Sequence, residues 1–178
     1  RSGDARQDAD EPGLAGIGVS DGVRIVETDA DGRFSGLAGN SAFVIKPAGY
    51  ALARDGALPR HWASTGRGDD CHFALRPQTP AADVLDVLVF ADPQAGREAE
   101  VDYYARSVVA AAARTPAALG LVLGDVGNDV PALYPAINAA TAQLDVPWLH
   151  VPGNHDLDVE ATDDPGSTAS YRAVYGPE

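Results

Sequence analysis

The chain has 178 residues, 45% of them apolar and 7% aromatic, with a formal net charge of −13 from 26 acidic and 13 basic side chains. That length allows one or two domains, the composition is ordinary for a globular chain, and the charge argues against nucleic acid as an electrostatic partner. No run of 18 apolar residues occurs, so no membrane-spanning helix is predicted, and the single cysteine, Cys71, excludes an internal disulfide.

Residues 1–12 are acidic and nearly free of large apolar side chains, which predicts disorder. From 13 to 76 the texture changes. Short β-prone pieces (GIGV, VRIVET, RFS, AFVIK, HFAL) alternate with turn chemistry (SDG, DADG, PAGY), the pattern of a small all-β sandwich. Two lookalikes lie here. Glu27, Asp29, Asp31 and Gly32 echo a calcium loop, but the position that needs a bidentate Glu is Ala38, so DADG reads as a tight turn. Gly18, Ser20 and Gly22 match the GxSxG nucleophile elbow, which would make Ser20 a serine-esterase nucleophile. That elbow needs a helix after it, and VRIVET is strand-like, so a hairpin turn is the better reading.

Residues 51–70, rich in Gly, Arg and Asp, read as a long loop, with His61 and Trp62 either anchoring it or reaching toward a substrate. Cys71 and His72 lack further ligands at useful spacing and read as filler; RGD at 67–69 is too short to carry meaning. The stretches VSDGVRIVETDADGRFS and FVIKPAGY resemble immunoglobulin-like or prealbumin-like modules. The segment 77–83, with Pro77 and Pro80, reads as a semi-rigid linker.

Three strand-length apolar runs follow, each ending in a polar signature: VLDVLVFADPQ (84–94), LGLVLGDVGND (119–129) and PWLHVPGNHD (147–156). Asp92 and Asp125 are 33 positions apart and Asp125 and Asn154 are 29 apart, each near the length of one strand, crossover helix and next strand. Val101, Tyr104, Ala105, Val108, Val109 and Ala112 form one helical stripe, stopped at Thr115 and Pro116. Leu133, Ile137, Ala140 and Leu144 form a second, with Asp129 placed to cap it and Pro131 in its first turn. The predicted fold class is therefore α/β over 84–178, parallel strands with crossover helices, preceded by the β module. Near-continuous Val, Leu and Phe in the strands implies burial on both faces, although three strands and two helices alone leave an edge unpaired and one layer missing. The polar signatures share the carboxyl edge, where metal or phosphate chemistry is built.

In order and spacing, Asp92-Pro93-Gln94, Gly124-Asp125-Val126-Gly127-Asn128 and Gly153-Asn154-His155-Asp156 resemble the first three blocks of the calcineurin-like metallophosphoesterases, and the β module resembles the one that precedes the catalytic domain in one group of them. The resemblance implies hydrolysis of a phosphate-ester substrate by two divalent metal ions (Mn, Fe or Zn), with metal-bound hydroxide attacking phosphorus. It assigns Asp92, Asp125 and Asn154 as metal ligands, Asp125 bridging, and His155 as the catalytic group that stabilises charge or protonates the leaving oxygen. Asn128 and Asp156 fall at supporting or substrate-side positions. Gln94 stands where the family usually has His; it is either an oxygen ligand, favouring Mn or Fe over Zn, or a residue that orients a ligand. The family's later histidine block is missing, since the four histidines are His61, His72, His150 and His155. With no methionine anywhere and an end at SYRAVYGPE, the expectation is a piece of a longer protein, the parent active and these residues nearly inactive alone. The resemblance leans toward a location outside the cytoplasm. A binding or assembly module with a degenerate metal site is the competing reading; substrate identity and oligomeric state stay open.

Overall fold

The computed structural model describes residues 11–65, 71–79 and 83–177. The expectation of disorder over 1–12 falls almost wholly outside these residues, as do RGD at 67–69 and part of the 77–83 linker. The chain divides into two compact units, one comprising Arg1–Arg54 and Pro59–Ala82, the other Asp55–Leu58 and Asp83–Glu178.

The first unit is antiparallel. Strands β1 (Gly18–Ser20), β2 (Ile25–Glu27), β3 (Ser41–Val44) and β7 (Trp62–Ser64) form a sheet in the order β2-β1-β3-β7, and β4 (Tyr50–Leu52) pairs with β8 (Leu75–Pro77). Asx chemistry makes its turns. Asp21 accepts backbone N–H groups from Val23, Arg24, Ala38 and Gly39, which hold its carboxyl well below the usual range. Asp29 accepts from Asp31 and Arg33, so DADG is the tight turn expected, although RFS after it forms no strand. Ser20 closes β1 in a strand-turn-strand unit and its hydroxyl accepts from Gly22 N–H, which removes the nucleophile-elbow geometry.

The 51–64 stretch is not a loop. It contains the end of β4, the hairpin β5 (Arg54–Asp55) and β6 (Leu58–Pro59), and β7. These strands are two or three residues long, too short for a period-2 pattern to register. Gly56, at φ 55°, turns the hairpin, and its tip belongs to the second unit, where Ala57 is buried and its carbonyl accepts Trp148 N–H at 2.8 Å.

The second unit is built on a parallel sheet, order β11-β10-β9, of β9 (Val87–Phe90), β10 (Leu119–Leu123) and β11 (Trp148–Val151). The first crossover is helical: α1 (Glu98–Tyr104), a π turn over Ala105–Val109, and α2 (Ala110–Ala112). The second runs from a 3-10 turn at Pro131–Leu133 through α3 (Tyr134–Thr141) to a 3-10 turn at Ala142–Leu144, and α4 (Ala169–Tyr175) follows later. The π turn alters the expected stripe. Tyr104 and Val109, five apart, are both buried, while Val108 is 43% exposed, because an i→i+5 turn rotates the following residues out of α-helical phase.

Burial on both faces does not hold. Leu88, Phe90, Val122 and Trp148 face a core shared with Val101, Tyr104, Val109, Tyr134, Ile137, Tyr171 and Tyr175. Register sets Val87, Val89, Leu123, Leu149 and Val151 on the opposite face, all exposed. Topology is the physical reason: crossovers are almost always right-handed, and two taken in the same direction across a sheet put both helices on one side. Within the core the Trp148 indole lies flat on β10. A Cβ at Gly120 would meet Trp148 ring atoms at 2.2 Å, so only glycine lets the indole settle there, with Phe90 at a ring separation of 4.6 Å.

Candidate functional site

The loops that leave the carboxyl ends of β9, β10 and β11 are tied to one another chiefly by backbone amides and carboxylates. The loop after β9 rests on that after β10: Gln94 N–H donates to Asp125 carbonyl at 2.9 Å, and Ala95 forms a parallel bridge with Gly127. The loop after β10 meets that after β11 even more closely. A Cβ on Gly153 would lie 2.1 Å from Asp125 Oδ1, and one on Gly124, itself at φ 93°, would lie 3.0 Å from Gly153 Cα. The GD and GN glycines are thus there to let two backbones pass.

Asp125 is the hub. It is buried, and its two carboxylate oxygens receive different loops: His155 N–H donates to Oδ1 at 2.9 Å and Gln94 Nε2 donates to Oδ2 at 3.0 Å. Each oxygen keeps a further acceptor position. Gln94 consequently turns its amide N–H to Asp125 and keeps Oε1 as its remaining acceptor. Asp92 and Asn154 are exposed at the rim, and Asn128, also exposed, packs its side chain over Gly96.

Asp156 is fully buried. Its Oδ2 accepts N–H from Val126 at 3.1 Å and Gly153 at 2.9 Å; its Oδ1 accepts Gly127 N–H and the Tyr134 hydroxyl, both at 3.1 Å. Four donors around one charge lock the two loops from beneath. Burial, and then the Asp156 charge, push the Tyr134 phenol far above its ordinary value, so it remains a donor.

Asp129 was expected to cap the second crossover, but Val130 occupies the cap position and no side-chain cap bond forms. Asp129 clasps His155 instead. Its carboxylate lies 3.2 Å from His155 Nδ1, and its own N–H donates to His155 carbonyl at 3.0 Å. The sequence marks Asp129 only as the acid directly after GDVGN and carries no sign of its pairing with His155. With Nδ1 turned to the Asp129 carboxylate, Nε2 is the ring nitrogen left on the other side.

Backbone strain gathers here too. Of five non-glycine residues with positive φ among the described residues, four are Asp92 (52°), Gln94 (43°), Asp125 (50°) and Asp129 (58°), so the strain is concentrated in the very loops that carry the polar signatures. Left-handed backbone at each costs roughly 1 to 2 kcal/mol.

His61 and Trp62 belong to the first unit, the ring nitrogen donating to Pro59 carbonyl at 3.0 Å and Trp62 opening β7. Cys71 is half-buried, its thiol 3.8 Å from Ser64 carbonyl. His150 faces the core of the second unit, its ring stacked 4.3 Å from Tyr175, and burial lowers its pKa to about 4.

The polar donors offered to a metal are oxygens, from Asp92, Asp125, Asn154 and the Gln94 amide, which is the right type for a hard divalent ion. Their number is short: among the described residues no group of three or more His, Cys, Asp or Glu side chains is placed to hold one. No helix among the described residues is long and apolar enough to cross a membrane. Comparison with known protein families, with curated proteins and with solved structures finds no match.

Proposed function

We propose that the carboxyl-edge cluster is a metal-dependent phosphoester-hydrolysing centre. The observation that carries this reading is the convergence on Asp125: one strand-end carboxylate hydrogen-bonded by Gln94 from the preceding strand's loop and by His155 from the following one. A divalent ion bound there supplies neutralisation of phosphate charge and an activated water. The chain's own residues do the rest. Asp125 and Asp92 provide the anionic oxygens, Asn154 and Gln94 neutral ones, and the Asp129 carboxylate fixes the His155 ring so that Nε2 can hold or deliver a proton to an ester oxygen. Asp156 keeps the two loops in register. With this reading goes the finer fold assignment, a partial calcineurin-like sandwich behind an immunoglobulin- or prealbumin-like module.

A second reading is a binding module with a degenerate metal site, favoured by the Gln94 N–H that already occupies one Asp125 oxygen. One titration separates them. Mn²⁺ added to the chain is expected to broaden the NMR signals of Asp92, Gln94, Asp125 and Asn154 selectively, and hydrolysis of an aryl phosphate, slow because two carboxylates hold the ion weakly, is expected to stop with chelator and in Asp125→Asn. Mn²⁺ binding without turnover, both here and in a chain extended past Glu178, supports the binding module. Turnover indifferent to chelator defeats both.

A further inference from the structure

A shallow groove of about 300 Å³ opens beside the cluster, between the end of β9 and the first crossover helix. Asp92 and Gln94 form one rim, and Phe90, Glu100, Tyr103, Ser107 and Val108 are among the residues of its wall. Its volume sits at the small end of ligand-pocket sizes, which run from about 300 to 1,000 Å³. Building on the phosphoester-hydrolysing reading, we infer that this groove receives the organic half of the ester, and that this half is a flat, uncharged ring.

Three observations lead there. The wall is made available by the π turn. In α-helical phase Val108 would extend the buried stripe of Tyr104; the π turn instead leaves it 43% exposed on the groove, beside Tyr103 at 61%. π turns inside α-helices often mark functional sites for this reason, since they redirect side chains at a cost in helix regularity. Two polar side chains of the helix wall are already engaged. Ser107 hydroxyl donates to Tyr103 carbonyl, and Glu100 accepts Gly96 N–H at 2.9 Å and Arg97 Nε at 2.7 Å. A sugar entering the groove could replace its lost water hydrogen bonds only at the Asp92 and Gln94 rim and the Tyr103 hydroxyl, and not along the rest of the helix wall. Charge disfavours the other common ester partner: Glu100, whose carboxyl those same bonds hold below its usual range, would repel a second phosphate. Apolar contact with Val108 and ring-on-ring contact with Tyr103 are what the groove can give, and Arg106, 5.4 Å from the Tyr103 centroid, braces that ring from its own helix.

The test uses 1-naphthol, which has the ring and no phosphate, and 1-naphthyl phosphate and inorganic phosphate with Mn²⁺, each titrated against the full chain. Naphthol is expected to shift the NMR signals of Tyr103, Val108 and Phe90. Tyr103→Ala and Val108→Ser, both at exposed positions that the fold does not need, should weaken naphthyl phosphate binding about two- to tenfold while leaving inorganic phosphate binding unchanged. Naphthol shifts at other residues, or equal affinity in wild type and both variants, would overturn the inference. Naphthyl phosphate that binds in the groove and is hydrolysed neither by this chain nor by one extended past Glu178 leaves the groove assignment standing and removes the hydrolase reading.

Discussion

His155 Nδ1 lies 3.2 Å from both carboxylate oxygens of Asp129, across two loops that come from different strands. Because both side chains are about one-third to one-half exposed, the pair adds little to stability in water. Its value lies in fixing a ring. Asp129→Asn is therefore expected to leave the thermal midpoint within a degree or two of wild type. Chelator-sensitive turnover should fall on the order of ten- to a hundredfold. Loss of turnover together with a large fall in the midpoint would point to a structural role instead.

Asp156→Asn should do the opposite, acting first on stability. Whichever way the amide is turned, its NH2 group faces a backbone N–H that the carboxylate had satisfied, from Gly127 on one side or from Val126 and Gly153 on the other. A buried donor stranded in this way, with the loss of charge-assisted bonds to the rest, costs about 3 kcal/mol or more. Urea unfolding followed by tryptophan fluorescence measures it directly.

Acid stability has a definable contributor in His150. Its ring is packed on Tyr175 and its folded pKa, about 4, is below the ordinary value of 6.5 because burial disfavours the cation. Above pH 6.5 the ring is neutral in both states. As pH falls from 6.5 to 4 the unfolded chain takes up a proton that the folded chain refuses, so stability declines through that window, by roughly 3 kcal/mol at most. His150→Phe keeps the stacking and removes the proton. Its unfolding free energy should be flatter than wild type between pH 6.5 and 4; an unchanged slope would show that the decline comes from elsewhere.

The Tyr104 and Thr141 hydroxyls, 2.8 Å apart and buried, join α1 to α3, and Thr141 also donates to Ile137 carbonyl at 2.9 Å. The two deletions should not be equivalent. Tyr104→Phe leaves Thr141 bonded to its own helix and costs about 1 kcal/mol, whereas Thr141→Val strands a buried phenol and costs about 1 to 3 kcal/mol. Paired denaturation curves check the inequality.

Much of the second unit was legible because its signals are periodic and long. The three apolar runs form the three parallel strands, and the crossover segments are helical where Val101, Tyr104, Ile137 and Ala140 recur. Counting three strands against two helices already implies a missing layer, but which residues (Val87, Val89, Leu123, Leu149 and Val151) form the bare face is not legible, since strand composition alone does not say on which side of a sheet the helices lie. Nor does a stripe of apolar residues reveal a π turn: both phases of 101–112 look equally apolar. The 51–64 hairpins were hidden by their brevity. At the site, Asp92, Gln94, Asp125, Asn154 and His155 could be singled out by their strand-end positions. Asp129 reads as a helix cap because an Asp four positions before the apolar helical run that starts at Leu133 carries that meaning locally, and only the third dimension sets it against a histidine 26 residues later.

The close approach of Gly120 to the Trp148 indole, and of Gly153 to Asp125, restricts how this sequence can drift. Exposed strand positions such as Val89 and Val151 can exchange Val, Leu and Ile at little cost as far as the described residues are concerned, because none of these packs tightly on them. Position 153 cannot gain even a methyl group while Asp125 stays in place. Positions 120 and 148 are bound to change together: a larger residue at 120 becomes acceptable only after the indole has been exchanged for something smaller. Among descendants of this chain, alanine at 120 should therefore appear only where tryptophan at 148 has gone.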